Sequence, residues 1–186
     1  AGSYYIFGAQ LEQSSVATSY IPTSGTTVTR LADVVGGAGD ASTFNSTEGV
    51  LYVEMATLTE EKSFFELISL SDGSTNNRMY LGFSSGNNTL TWLYGGAFSG
   101  NTNSIQTTNN NKIAFKFKEN DFAVWLNGVE IDSQLSGSTF NLNTFNTLGF
   151  NSGNPSSSTK LFGKLKDLRV YNTALTDSEL TQLTTI

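Results

Sequence analysis

The sequence predicts an all-β fold, a sandwich of two antiparallel sheets with one short C-terminal helix. Three observations carry that prediction. Nine strand-length runs (49–57, 64–71, 78–84, 89–94, 112–119, 122–127, 129–134, 146–150 and 160–171) recur at short intervals between turn residues, the pattern of an antiparallel sandwich or barrel. Asn127-Gly128 stands between two alternating runs, and both residues tolerate the positive φ that a type I′ hairpin demands. Near the C-terminus Thr176 and Glu179 have the spacing of a capping box, and Leu175 can pack on Leu180 across it as a hydrophobic staple.

Along the chain, residues 4 to 11 form a short strand-like run, and 14 to 27 carry Ser, Thr, Pro22 and Gly25 as a linker would. Residues 1–30 are therefore expected to be a terminal strand and linker from a preceding module, with 31–186 the folded domain. A hairpin turning near Gly86-Asn87 places Met79, Leu81, Phe83, Leu90, Trp92 and Tyr94 on one face and Tyr80, Gly82, Thr91 and Leu93 on the other. Trp92 is accordingly assigned to the core. Residues 95 to 104 read as a polar loop.

With 127 and 128 as a loop, Leu126 faces Val129, Val124 faces Ile131 and Trp125 faces Glu130. A preceding turn at Asn120-Asp121 would set Phe117 opposite Val124, Phe115 opposite Leu126 and Lys116 opposite Trp125. Phe115, Phe117, Phe122, Val124, Leu126, Val129 and Ile131 then make a core face. Trp125 stands outside, between Lys116 and Glu130.

A chain of 186 residues has enough length for a sizeable core. It contains neither cysteine nor histidine, which removes disulfides, thiolate metal sites, serine–histidine and cysteine–histidine nucleophiles and the usual zinc ligand sets. The formal net charge of -6 argues against nucleic acid, whose binding draws on lysine and arginine. No apolar run reaches the roughly 18 residues of a membrane span, so no membrane insertion is expected. Low charge with abundant Gly, Ser, Thr and Asn resembles extracellular or particle-surface β proteins.

The closing segment carries a more specific likeness. Gly163, Leu165, Asp167, Leu168, Arg169, Val170, Tyr171 and Asn172, followed by Ala174, Leu175, Thr176, Glu179 and Leu180, fit a strand G-x-(I/L)-x-D-(L/V)-R-(I/V)-Y-N and a helix A-L-(S/T)-x-x-E-(L/I). With residues 68–77 and the hairpin around 124–129, this resembles the laminin-G-like branch of the concanavalin A-like lectin/glucanase superfamily across most of 31–186. The resemblance implies a jelly-roll sandwich. The stretch from Gly8 to Arg30 resembles a junction found in phage tail proteins and secreted bacterial polysaccharide-degrading proteins, where the first piece ends a preceding jelly-roll module.

The resemblance also implies site residues. Superfamily members often hold a structural calcium through an aspartate of the closing strand; Asp167 matches it, with Asp33 or Asp40 as partners, although Asp167 can instead pair with Arg169 or cap a turn. Glucanases of the superfamily use a strand E-(I/L)-D-x-(x)-E. Here Glu130-Ile131-Asp132 begins that strand, but Gln134 and Leu135 occupy the places of the last carboxylate, and retaining hydrolysis needs two carboxyl groups roughly 5 Å apart. An enzyme is not expected.

An outward Trp125 flanked by Lys116 and Glu130, and the lone Tyr80, are the candidate sugar-stacking aromatics. The plainer alternative covers Trp125 with the stems of Lys116 and Glu130, Lys116 making a cation–π contact. Among the polar loops, Asp72, Asn76, Asn77 and Arg78 are the densest hydrogen-bonding set, though turns favour the same residues. The expected function is a non-catalytic carbohydrate-binding module recognising a host surface or polysaccharide, in a phage tail or virion protein or a secreted bacterial protein. The alternative is a structural or decoration domain making protein–protein contacts with other subunits of a fibre or particle.

Overall fold

The computed structural model describes residues 3, 8, 10–11, 20–29, 38–60, 64–86, 88–156 and 159–186. The chain divides into two compact units, Ala1–Val34 and Val35–Ile186. In the first, the Ile21 backbone N–H donates to Gln10 Oε1 at 2.7 Å; most of the run expected at 4–11 lies outside the described residues.

The second unit contains ten strands and a helix: β1 (Glu48–Ala56), β2 (Glu66–Ser71), β3 (Arg78–Phe83), β4 (Leu90–Tyr94), β5 (Phe98–Thr102), β6 (Asn111–Lys118), β7 (Phe122–Leu126), β8 (Val129–Gln134), β9 (Thr147–Gly149), β10 (Lys164–Tyr171) and α1 (Asp177–Thr184). They form two five-stranded antiparallel sheets, β10-β1-β6-β7-β8 and β5-β4-β3-β2-β9. The expected sandwich is the observed fold.

Alternation places the core between the sheets. Leu51, Val53 and Met55 of β1 meet Ile68 and Leu70 of β2 and Met79, Leu81 and Phe83 of β3 in one apolar cluster, as period-two side-chain geometry requires. Its densest part is aromatic: Tyr94 lies 5.2 Å from Phe117, 5.3 Å from Phe122 and 5.0 Å from Phe140, centroid to centroid. Burial alone would strand the Tyr94 hydroxyl, so it donates to Ser46 O at 2.7 Å and accepts from the Phe140 N–H at 3.0 Å. Burial also holds its acidity well below that of an ordinary tyrosine.

Two registers depart from expectation. The β6–β7 turn falls one residue earlier, with Asp121 N–H donating to Lys118 O at 2.9 Å and Asn120 at φ 57°. Phe115 therefore pairs with Val124, Ala114 with Trp125 and Lys116 with Ala123. The slip moves each partner by two, an even number, so every side chain keeps its expected face. Across the Asn127-Gly128 turn, with φ 50° and 87°, Leu126 faces Val129 and Trp125 faces Glu130 as expected, but a bulge then sets Val124 opposite Asp132. Ile131 still packs on the core, whereas Val129, at the hairpin end, is 62% exposed.

The helix carries both halves of the capping box: Thr176 accepts from the Glu179 N–H, and the Glu179 carboxylate accepts from the Thr176 N–H at 2.8 Å. Eight residues are too few to hold a helix alone in water, and docking supplies the rest. Leu180 is fully buried with Val50, Tyr52, Ala114, Ala123 and Trp125 on the outward face of the first sheet, and Leu175 and Leu183 pack on the same cluster.

Candidate functional site

The outward face of the β5-β4-β3-β2-β9 sheet is organised around Tyr80. Because Met79, Leu81 and Phe83 turn inward, Arg78, Tyr80 and Gly82 turn outward. Across the strands Tyr80 pairs with Ser69 on one side and Leu93 on the other, and Leu93 pairs with Ser99. The next row reads Gly82, Thr91 and Asn101. Tyr80, Thr91 and Leu93 are partly exposed and Ser99 and Asn101 exposed, whereas Ser69 is buried and donates to Gly149 O. At Gly82, φ is 155° and a Cβ would strike the Glu66 backbone, so the row beside Tyr80 is floored by bare backbone.

Arg78 completes this face. Its guanidinium carbon sits 5.2 Å from the Tyr80 ring centroid, within cation–π range, and Nη1 donates to Ser152 O at 2.6 Å. Nε has no hydrogen-bond partner, and no carboxylate among the described residues pairs with this arginine. Nε is itself buried, so what this face presents is a cation held in place on an aromatic ring.

The loop leading to Arg78 uses its polar groups on itself. Asp72 accepts from the Ser74 N–H and from Asn77 Nδ2, both at 2.8 Å. The bonds from Ser74 lead in holding its carboxyl below the usual aspartate value. Asn76 is exposed, its N–H donating to Ser74 Oγ. Of the four loop candidates, Arg78 alone is brought to the Tyr80 ring; Asp72 and Asn77 shape the turn that presents it.

Trp125 requires a correction. It stands on the outward face of its sheet, but the residue is only 7% exposed and packs with Leu180 of α1. The open platform expected there is absent, and Leu180, Leu175 and Leu183 pack with Trp125 in one apolar cluster. Lys116 is itself 5% exposed and points to Asp121 at 2.7 Å and Asp177 at 3.0 Å. Burial opposes its charge, but those two carboxylates outweigh burial and hold its pKa above the ordinary lysine value. Glu130 is exposed opposite Trp125.

Of the carboxylates expected to hold calcium, the two described ones are engaged by other groups. Asp167 Oδ2 lies 2.6 Å from Arg169 Nη2. Asp40 accepts from the backbone and hydroxyl groups of Ser42 and Thr43, bonds that lower its pKa. Asp33 lies outside the described residues. No group of three acidic, histidine or cysteine side chains suited to a metal occurs among the described residues, and no helix there is long and apolar enough to cross a membrane.

Sequence reasoning missed β5 and with it Ser99 and Asn101. Residues Phe98-Ser-Gly-Asn-Thr102 are poor strand formers. Only the alternation of Phe98, Gly100 and Thr102 hinted at a strand, and Gly100 is needed inward because a Cβ would strike the Trp92 ring.

Several known structures share this architecture. The CBM40 of Ruminococcus gnavus IT-sialidase, solved with alpha2,3 sialyllactose, superposes with a TM-score of 0.64 at 16% identity, over 83% of this chain and 96% of that one. Domain 4 of AbnA, an extracellular arabinanase of Geobacillus stearothermophilus solved with arabinotriose, gives 0.56 at 17% identity, over 79% and 70%. A heptameric SAP-like pentraxin from Limulus polyphemus gives 0.58 at 11% identity, over 81% and 74%. At these identities the likeness is one of fold. No curated protein matches the sequence. The Laminin_G_3 family model matches residues 50–181, well over half of the chain and nearly all of the sandwich, and the chain therefore belongs to the Concanavalin A-like lectin/glucanases superfamily.

Proposed function

We propose that this chain is a non-catalytic carbohydrate-binding module that takes its glycan on the outward face of the β5-β4-β3-β2-β9 sheet. The observation that carries the reading is the Tyr80–Arg78 pair: a partly open ring with a guanidinium held 5.2 Å from its centre and no carboxylate partner among the described residues. A sugar presents C–H faces that suit Tyr80 and Leu93, while its hydroxyls meet Thr91, Ser99 and Asn101. The guanidinium charge of Arg78, with no carboxylate partner among the described residues, suits a carboxylate, so an acidic sugar is the favoured ligand.

Fold likeness to modules solved with sialyllactose and arabinotriose supports a glycan partner. Gln134 and Leu135, standing where the related glucanase strand carries its last carboxylate, support binding without hydrolysis. The setting we infer is extracellular, on a virion or phage tail or in a secreted bacterial protein, where the junction at residues 8–30 has its parallels. Single sites of this kind are weak, and repeated display would raise avidity without new contacts.

The test is glycan-array binding of the purified chain, with its mass in solution. Specific signal that disappears in Tyr80→Ala and weakens for acidic glycans in Arg78→Ala is the expected result. A blank array from a stable oligomer would replace this reading with the structural one.

A further inference from the structure

We infer that the module has a second sugar-binding site, in a cleft at one end of the sandwich, and that this site takes a neutral sugar. The inference shares with the reading above only the premise that the module meets glycans; none of its residues belongs to the Tyr80 face.

The cleft is an open groove of about 410 Å³, within the size range of small-ligand sites. Three separate stretches build it: the start of β1, the end of β6 with its turn, and residues 138–142. Its apolar part is Phe140, fixed by ring contacts to Tyr94 at 5.0 Å and Phe145 at 5.3 Å and by its own N–H on the Tyr94 oxygen. Next to it Leu142 is 63% exposed, an aliphatic ledge at the mouth. Ser138, Thr139 and Asn141 bring two hydroxyls and a carboxamide to the same wall. An anchored apolar surface faced by neutral donors and acceptors matches the two sides of a sugar ring.

Charge decides the class. Lys118 Nζ and Glu48 Oε2 approach only to 3.9 Å, too long for a hydrogen bond; the same Glu48 oxygen accepts from the Ala174 N–H at 3.3 Å. Lys118, 54% exposed in its side chain, therefore keeps its donors for a ligand hydroxyl, as Glu48 keeps acceptor capacity. With Glu119 also in the lining, carboxylates outnumber the ammonium, and an acidic sugar would meet net repulsion. The Tyr80 face with Arg78 has the opposite preference.

The experiment is an NMR titration of the ¹⁵N-labelled chain with maltotriose, cellotriose and arabinotriose, and separately with sialyllactose, on wild type, Tyr80→Ala and Ser138→Tyr. Ser138 is exposed, so the larger ring enters the cleft without disturbing the core. The expected result is that at least one neutral trisaccharide shifts the amides of 118–119 and 138–142 in wild type and in Tyr80→Ala, and that Ser138→Tyr abolishes those shifts. Shifts confined to the Tyr80 face overturn the second site and leave the proposed function standing. Cleft shifts with a silent Tyr80 face leave the second site standing and overturn the first. Cleft shifts that vanish in Tyr80→Ala overturn the second site, since the cleft would then be an extension of the first. No shift with any of the four probes overturns both.

Discussion

Trp125 of β7 and Leu180 of α1 share one buried apolar cluster, 7% and 0% exposed, so the aromatic most inviting as a ligand platform is the floor of a helix-docking site. Leu180→Ala would remove the plug of this small core and cost about 2–5 kcal/mol, the range for large-to-small core changes. Trp125 emission should shift to the red as water reaches the indole. Glycan binding at Tyr80, on the other sheet, should persist while the domain stays folded. A variant with unchanged melting and emission would show that the helix is not what covers Trp125.

The strands were legible because hydrophobic alternation is local, and so were the faces: the β6–β7 slip of two left Phe115, Phe117 and Val124 inward. The capping box at Thr176 and Glu179 was legible for the same reason. The docking of Leu180 on Trp125 was not, because it joins residues far apart in sequence and leaves no periodic signal. Nor was β5, whose Ser, Gly and Asn gain strand geometry only from pairing with β4. Of the site, Tyr80 and Arg78 could be named singly; their contact follows from β3 placing residues two apart on one face.

Lys116 ties α1 to the sheet through Asp177 while also holding Asp121. The partners are 40% and 65% exposed in their side chains, so solvent screens much of the attraction, and Lys116→Met should cost on the order of 1–2 kcal/mol. The sign with pH follows from the raised lysine pKa. The contribution is complete below the unfolded value near 10.5 and is lost as pH climbs through the higher folded value. Wild type should therefore lose stability relative to Lys116→Met above about pH 10.5. Parallel pH–melting curves for the two proteins would sink this account.

Asp167 is committed to Arg169 and Asp40 to its own turn, and no metal-sized acidic group exists among the described residues. The melting temperature should thus be the same in calcium and in chelator. A rise of several degrees with calcium, the signature of a ligand bound only to the native state, would point to Asp167 as a ligand, with Asp33 as the partner to mutate next.

The chain contains no histidine, the side chain that ordinarily changes charge near neutrality, so sugar binding should be flat from about pH 5 to 8. The sensitive group is Asp72, whose bonds to Ser74 and Asn77 hold residues 71–78 in the turn that presents Arg78. Its folded pKa lies below the ordinary aspartate value of 3.8. The turn therefore has full carboxylate support above that value and loses it as pH falls through the lower folded one. Arg78-dependent affinity for an acidic glycan should drop below pH 3.8, but a carboxylate ligand titrates there too. A neutral glycan bound at Tyr80 serves as the control that does not. Asp72→Asn, with one carboxylate acceptor gone, should weaken the turn by about 1 kcal/mol at pH 7 and abolish the acid step measured with the neutral glycan. If that step survives in Asp72→Asn, the turn is not what acid loosens.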